Sequence, residues 1–169
     1  MSEATPSIAA AGPISIPVRK LVELLAESTF FQARVGASSK TDAYPYIHHP
    51  ELHAKGLYEI KGPLAVVGTA GFSLSRVDNR LLRPSNCSLA LVLSDDDRYP
   101  DSPERSQTDF ENFVGQTLAE IAGLQGVDTR LPIDSIHLAD SRKIGVTAAT
   151  PGQRNVYWMA MIEVHWSRL

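Results

Sequence analysis

The sequence predicts an α+β domain of two layers, a mixed or antiparallel β-sheet with two main helices packed on it. Three observations predict it. Apolar residues recur at helical spacing in two separated stretches, short β-rich runs lie between them, and the 169-residue chain closes on a long strand with two distinct faces. Helix, several strands, helix, two strands is an order that favours antiparallel or mixed pairing. With 43% of residues apolar and 21% charged, the chain has ordinary globular composition and material for one core.

Residues 1–13 are rich in Ala, Ser, Gly and Pro and carry no hydrophobic period, so they read as a flexible N-terminal arm. Residues 14–169 read as one domain. Ser15 precedes Pro17, a residue favoured in a first helical turn, and Val18, Leu21, Val22 and Leu25 follow at helical spacing. Ser28 and Thr29 interrupt this helix. Ser28 is placed to cap a second piece, Thr29 to Val35, which Gly36 ends.

Between Tyr44 and Leu93 short apolar runs are broken by Gly, Pro, Asn and Asp, the pattern of strands: YPYIHH, GLYEI, PLAVVG and SLALVL. In the last run Leu89, Leu91 and Leu93 face one way and Ala90 and Val92 the other, so a central strand buried on both faces is expected. A polar loop, DDDRYPDSPERSQ, follows. Thr108 and Glu111 have capping-box spacing, so the second long helix is expected to begin at Thr108, with Phe110, Phe113, Val114, Leu118 and Ile121 facing the sheet. Gly123 and Gly126 offer exits. IDSIHLA and KIGVTAA read as strand material, PGQR as a turn, and NVYWMAMIEVHW as the closing strand of a β-hairpin. There Val156, Trp158, Ala160, Ile162, Val164 and Trp166 point to a core, while Tyr157, Met159, Met161, Glu163 and His165 point away.

A net charge of −3 argues against a wholly basic surface, and no sequence-specific nucleic-acid partner is expected. Cys87 is the only cysteine, which excludes an intramolecular disulfide and suits a reducing compartment; its apolar neighbours make it a small core residue rather than a reactive thiol. The N-terminal residues lack the basic start and apolar core of a signal peptide, and no run approaches the roughly 20 apolar residues that cross a bilayer, so no membrane partner is expected.

Candidate chemistry is sparse. His48-His49-Pro50-Glu51-Leu52-His53 offers ligand types for zinc or a similar ion, but its spacing lacks a completing cluster and reads as a strand end entering a polar loop. Asp95, Asp96 and Asp97 follow a buried strand, where α/β enzymes often hold magnesium, and Asp101 and Glu104 add charge. Glycines 56, 62, 68 and 71 spell no phosphate loop, so a solvated acidic turn is expected. Gly71-Phe72-Ser73-Leu74-Ser75 lacks the second glycine of a nucleophile elbow. Arg76, Arg80 and Arg83 form a basic stretch that reads as a solvated loop. No catalytic residue, cofactor site or metal site is assigned.

Two strings carry a family resemblance. Leu21-Val22-Glu23-Leu24-Leu25-Ala26-Glu27-Ser28-Thr29-Phe30-Phe31-Gln32-Ala33-Arg34-Val35-Gly36 and Leu91-Val92-Leu93-Ser94-Asp95-Asp96-Asp97-Arg98, the second followed by Thr108-Asp109, resemble the tail terminator (neck or tail-completion) proteins of long-tailed bacteriophages and prophages. In order of elements the resemblance spans most of residues 17–167. It implies a tail-terminator-like fold and a structural, non-enzymatic role: copies form a hexameric ring that caps the tail tube and joins it to the head connector. The implied partners are further copies, the tail tube protein and a head-completion or connector protein. The implied location is the virion neck, after synthesis in the bacterial host cytoplasm. Tyr157, Met159, Met161 and Arg98 are the candidates for the self-assembly interface. Alternatives are a small metal-dependent enzyme using His48, His49, Glu51 and His53, and an adaptor whose last hairpin adds a strand from a partner.

Overall fold

The computed structural model describes residues 15–48, 62–76, 82–84, 87–124, 133–147 and 154–166. The expected arm at residues 1–13, the run GLYEI and the turn PGQR apart from its arginine lie outside them. Helix α1, Ser15–Glu27, turns its heptad-like stripe inward, and Leu21, Leu24, Leu25 and Ala26 are fully buried. Ser28 then takes an extended conformation, and its Oγ accepts a hydrogen bond from Phe31 N at 3.2 Å, starting helix α2, Thr29–Val35. Gly36 ends α2 at φ 75°, a left-handed conformation that suits glycine, and Ala37 N bonds back to Gln32 O at 2.9 Å in a Schellman closure. Both boundaries agree with the sequence reading.

YPYIHH departs from the expected strand. After a four-residue helix α3, Lys40–Ala43, Tyr44–Tyr46 forms a 3-10 turn and only Ile47–His48 pairs as strand β1. Pro45 explains it, since a fixed φ and a missing N–H suit a first turn and not a ladder. Strand β2 is Leu64–Gly71; β3, Leu74–Arg76, and β4, Leu82–Pro84, form a separate two-stranded sheet. Strand β5 is Cys87–Asp96 and helix α4 is Pro103–Leu124. Strands β6, Ile133–Thr147, and β7, Arg154–Trp166, close the chain as a hairpin.

The main sheet is mixed, in the order β1-β2-β5-β7-β6; β1 runs parallel to β2 and the other pairs are antiparallel. The protein is therefore α+β, with β5 at the centre of the sheet. Helices α1 and α4 share a single core with one sheet face, where Leu89, Leu91, Leu93, Ala160, Ile162 and Val164 are buried. On the far face Ala90 and Val92 are only half-buried, because no described helix covers it. Central position is thus confirmed for β5, and full burial on both faces is not.

Helix α4 starts at Pro103, not at Thr108. Pro103 supplies a first-turn φ, and Ser106 N bonds to Ser102 O at 2.9 Å, so the first turns form before the apolar stripe begins. Those turns are exposed apart from Ser106, which hid them from a reading based on hydrophobic period. The expected stripe does face the core, with Phe110, Phe113, Val114 and Ile121 buried and Leu118 packed beside them. IDSIHLA and KIGVTAA, expected as strand material, run together in one strand of 15 residues, Ile133–Thr147. Asp140, Ser141 and Arg142 resemble a break in sequence, yet β6 lies at the sheet edge, where polar side chains are tolerated, and extra residues at Asp134 and Ala139 absorb its changes of register against β7.

Candidate functional site

The polar chemistry concentrates where β5 leaves the sheet and α4 begins. Asp95 lies opposite Trp158 on the helix-covered face and is only 1% exposed. A buried carboxylate needs full compensation, and here it comes from three directions. Arg34 of α2 brings Nε to 2.5 Å, Arg98 brings Nε to 2.8 Å, and Asp96 N donates at 2.7 Å. The other edge of the Arg34 guanidinium grips Asp109 of α4 in bidentate fashion, at 3.1 and 2.6 Å, and its plane lies 5.0 Å from the Phe113 ring. Burial would lower the Arg34 pKa, but the hydrogen bonds and charges of Asp109 and Asp95 outweigh it and raise it. Arg98 also donates to the Arg34 carbonyl at 3.2 Å. Two arginines and two aspartates thereby clamp α2, β5 and α4 together.

This corrects the expectation of a solvated acidic turn. Asp96 accepts from Gly62 N at 3.1 Å, and Asp97 pairs with Lys143 of β6 at 2.5 Å and accepts a hydrogen bond from Ser106 Oγ. Burial pushes the Asp97 carboxyl up, yet Lys143 and Ser106 hold it below the ordinary carboxylate range. Trp158 Nε1 donates to the same Ser106 Oγ at 2.8 Å and its ring stacks on Phe110 at 5.7 Å, so the hairpin is fastened to α4 through this cluster. Asp101 and Glu104, by contrast, are exposed.

A third lock sits at the α1–α2 break. Glu120 of α4 accepts from Ser28 Oγ at 2.6 Å, Thr29 Oγ1 at 2.7 Å, Thr29 N at 3.0 Å and Phe30 N at 3.2 Å. It therefore caps the start of a helix other than its own. Burial raises its pKa, and the four donors more than reverse this, leaving it below the usual value.

Between α2 and α4 lies an open groove of about 420 Å³, bordered by Phe30, Arg34, Arg98, Asn112, Phe113 and Gln116. Its guanidinium and carboxamide groups can hold a polar surface by hydrogen bonds, and it contains no nucleophile paired with a base. The interface candidates fall on opposite sides of the sheet. Arg98 stands on the helix side, bound to Asp95, while Met159, Met161 and Tyr157 stand on the far face. Met161 is 42% exposed and Met159 is half-buried. Tyr157 is 2% exposed, so its ring is not open surface; its hydroxyl has no hydrogen-bond partner among the described residues, and burial raises its pKa.

His48 lies in β1, whereas His49, Glu51 and His53 fall outside the described residues. Among the described residues no group of three or more His, Cys, Asp or Glu is placed to hold a metal ion. Arg76 is exposed in β3, Arg83 lies in β4 opposite Ser75, and Arg80 is outside the described residues. Gly71 ends β2 and Leu74 opens β3, with no helix after Ser73 to form an elbow. Cys87 opens β5. Among the described residues no helix is long and apolar enough to cross a membrane.

Sequence reasoning missed Arg34, Asp109 and Glu120. Their partners are 61, 75 and about 90 residues away, so no local spacing announces them. The one available signal was an arginine on a short helix with buried Phe31 and Val35 around it. No protein-family model matches the chain, and no curated protein matches it.

Proposed function

We propose that the chain is a structural subunit of the tail terminator kind, whose copies close into a hexameric ring that caps the tail tube of a long-tailed bacteriophage or prophage and joins it to the head connector. The observation that carries this reading is the division of the interface candidates between two faces. Met161 and Met159 stand on the far face of the sheet and Arg98 on the helix side. Contact between two different patches of identical subunits propagates head to tail and closes into a ring when the rotation allows.

Two further features support it. The succession of α1 and α2, strands, α4 and the β6–β7 hairpin is the order on which the resemblance rests. The charged groups of the β5–α4 junction hold secondary elements to one another, which suits a subunit that transmits load rather than one that turns over a substrate. On this reading the partners are further copies, the tail tube protein and a head-completion or connector protein. The protein is not an enzyme, and it acts in the virion after synthesis in the host cytoplasm.

Light scattering over rising concentration, followed by electron microscopy with and without tail tubes, tests the proposal. Rings are expected from the natural chain, and a folded monomer from a chain with Met159→Glu and Met161→Glu. A strict monomer that forms no ring even beside tail tubes would overturn it.

A further inference from the structure

We infer that the groove between α2 and α4 is a binding site for a neutral sugar, held by two-pronged polar side chains and stacked on Phe30. This goes beyond the ring reading and does not depend on it.

Two helix rows build the groove. Phe30, Ala33 and Arg34 lie at helical spacing on α2, and Asp109, Asn112 and Gln116 do so on α4. Ala33 offers only a methyl group, so a hollow of about 420 Å³ stays open between the rows, within the range of small-ligand pockets. Helix α2 is pinned at both ends, by Glu120 at its start and, through Arg34, by Asp95 and Asp109 near its finish. The walls are therefore set before a ligand arrives, which lowers the ordering cost of binding.

Charge and hydrogen-bonding capacity select the ligand. Arg34 and Arg98 carry two positive charges, Asp95 and Asp109 two negative ones, and all four belong to one set of ion pairs. With no charge left over, the groove favours neither an anion nor a cation. What remains is neutral hydrogen-bonding capacity. Asn112 and Gln116 are exposed, and among the described residues their carboxamides have no partner. Each presents an acceptor oxygen beside a donor NH₂. Arg98 has Nε bound to Asp95 and Nη2 to the Arg34 carbonyl, which leaves Nη1 as a further donor. Adjacent hydroxyls of a sugar both donate and accept, so one carboxamide can grip a pair of them. A peptide main chain sets successive donors and acceptors on opposite sides and fits such a group less well.

One aromatic face completes the set. Phe30 is 41% exposed at the groove, whereas Phe113 is buried with the Arg34 guanidinium 5.0 Å from its ring centre. Phe30 thus has a ring to offer to the C–H face of a sugar. A flat heterocycle or a purely apolar ligand could stack there too, but it would strip water from the carboxamides and from Arg98 Nη1 without replacing its hydrogen bonds.

Titration of the isotope-labelled chain with glucose, galactose, mannose, N-acetylglucosamine, maltose and lactose, followed by backbone amide resonances, tests the inference. Both the natural chain and the chain with Met159→Glu and Met161→Glu are titrated, so that burial of Arg98 in a ring cannot hide the site. At least one sugar is expected to shift the signals of Phe30, Asn112 and Gln116, with a dissociation constant of about 1 mM. Phe30→Ala and Gln116→Ala, both at exposed positions, are each expected to weaken binding about fivefold while circular dichroism stays unchanged. No shift in either chain from any of these sugars at about 50 mM would overturn the site. So would shifts confined to other regions, or equal binding by both alanine variants. Tighter binding of inorganic phosphate or of N-acetylalanine amide at the same signals would overturn the ligand class. A chain that forms rings but takes no sugar loses this inference alone, and a monomer that binds sugar loses only the ring.

Discussion

The two faces of the main sheet obey different rules. On the helix-covered face every described carboxylate of the β5 end is matched: Asp95 by Arg34 and Arg98, Asp97 by Lys143 and Ser106. On the far face the charges stay at the surface: Glu163 and Arg142 are exposed, and Glu163 lies 3.2 Å from His165 and opposite His137. Among the described residues, buried groups without a hydrogen-bond partner occur on both sides, Ser94 Oγ and the Tyr157 hydroxyl on the far face and Thr117 Oγ1, Ser141 Oγ and Trp166 Nε1 on the helix side, so the difference lies in the charges alone. The difference teaches where the fold is specified. A charge in a water-poor layer fixes the positions of α2, β5 and α4 because misplacement costs several kcal/mol, whereas the far face buries apolar Leu64 and Val66 and leaves its charges in water, where they specify little.

The comparison breaks most directly at Arg34. Arg34→Ala leaves Asp95 with Arg98 and the Asp96 amide and strips Asp109 of the Arg34 fork, so a loss of about 3 kcal/mol in urea unfolding is expected. A loss under about 1 kcal/mol would mean that the clamp is ornamental and the two faces are alike.

Next in size is Glu120→Gln, which weakens the cap on α2 and is expected to cost about 1 kcal/mol at neutral pH. The folded-state pKa of Glu120 is lowered from an ordinary 4.5, so its contribution is complete above that value and disappears as pH falls through the depressed folded value. Asp97 behaves in the same sense below an ordinary 3.8. Acid titration monitored by circular dichroism should therefore show the gap between natural chain and Glu120→Gln closing as the solution becomes acidic. A gap that widens there would reverse the assignment.

The smallest effect is expected on the far face. Tyr157→Phe removes a buried hydroxyl that has no partner among the described residues, and thermal unfolding should find the variant unchanged or more stable by up to about 1 kcal/mol. Destabilisation instead would place an essential polar contact at this hydroxyl.

What the sequence made legible follows the same division. Periodicity reports burial against a neighbour of any kind, so α1, the stripe of α4 and the alternation of β7 were readable from their own residues. Ser28 and Gly36 were readable because capping is local chemistry. The start of α4 was not, since Glu104, Arg105 and Gln107 are exposed and carry no hydrophobic signal. The junction was hardest. Three adjacent aspartates look identical in sequence, yet Asp95 is buried while Asp96 is exposed, and only the arrival of Arg34 and Lys143 from remote elements distinguishes them.

The edge strand β6 has a consequence for how the chain survives crowding. Fifteen residues of strand at a sheet edge are a template on which other chains can pair without limit, the route by which soluble proteins become fibres. Here the template is spoiled twice by the extra residues Asp134 and Ala139, and Asp140, Arg142 and Lys143 add charges that resist an uninvited strand. The chain can therefore be concentrated while its sheet stays finite at this edge.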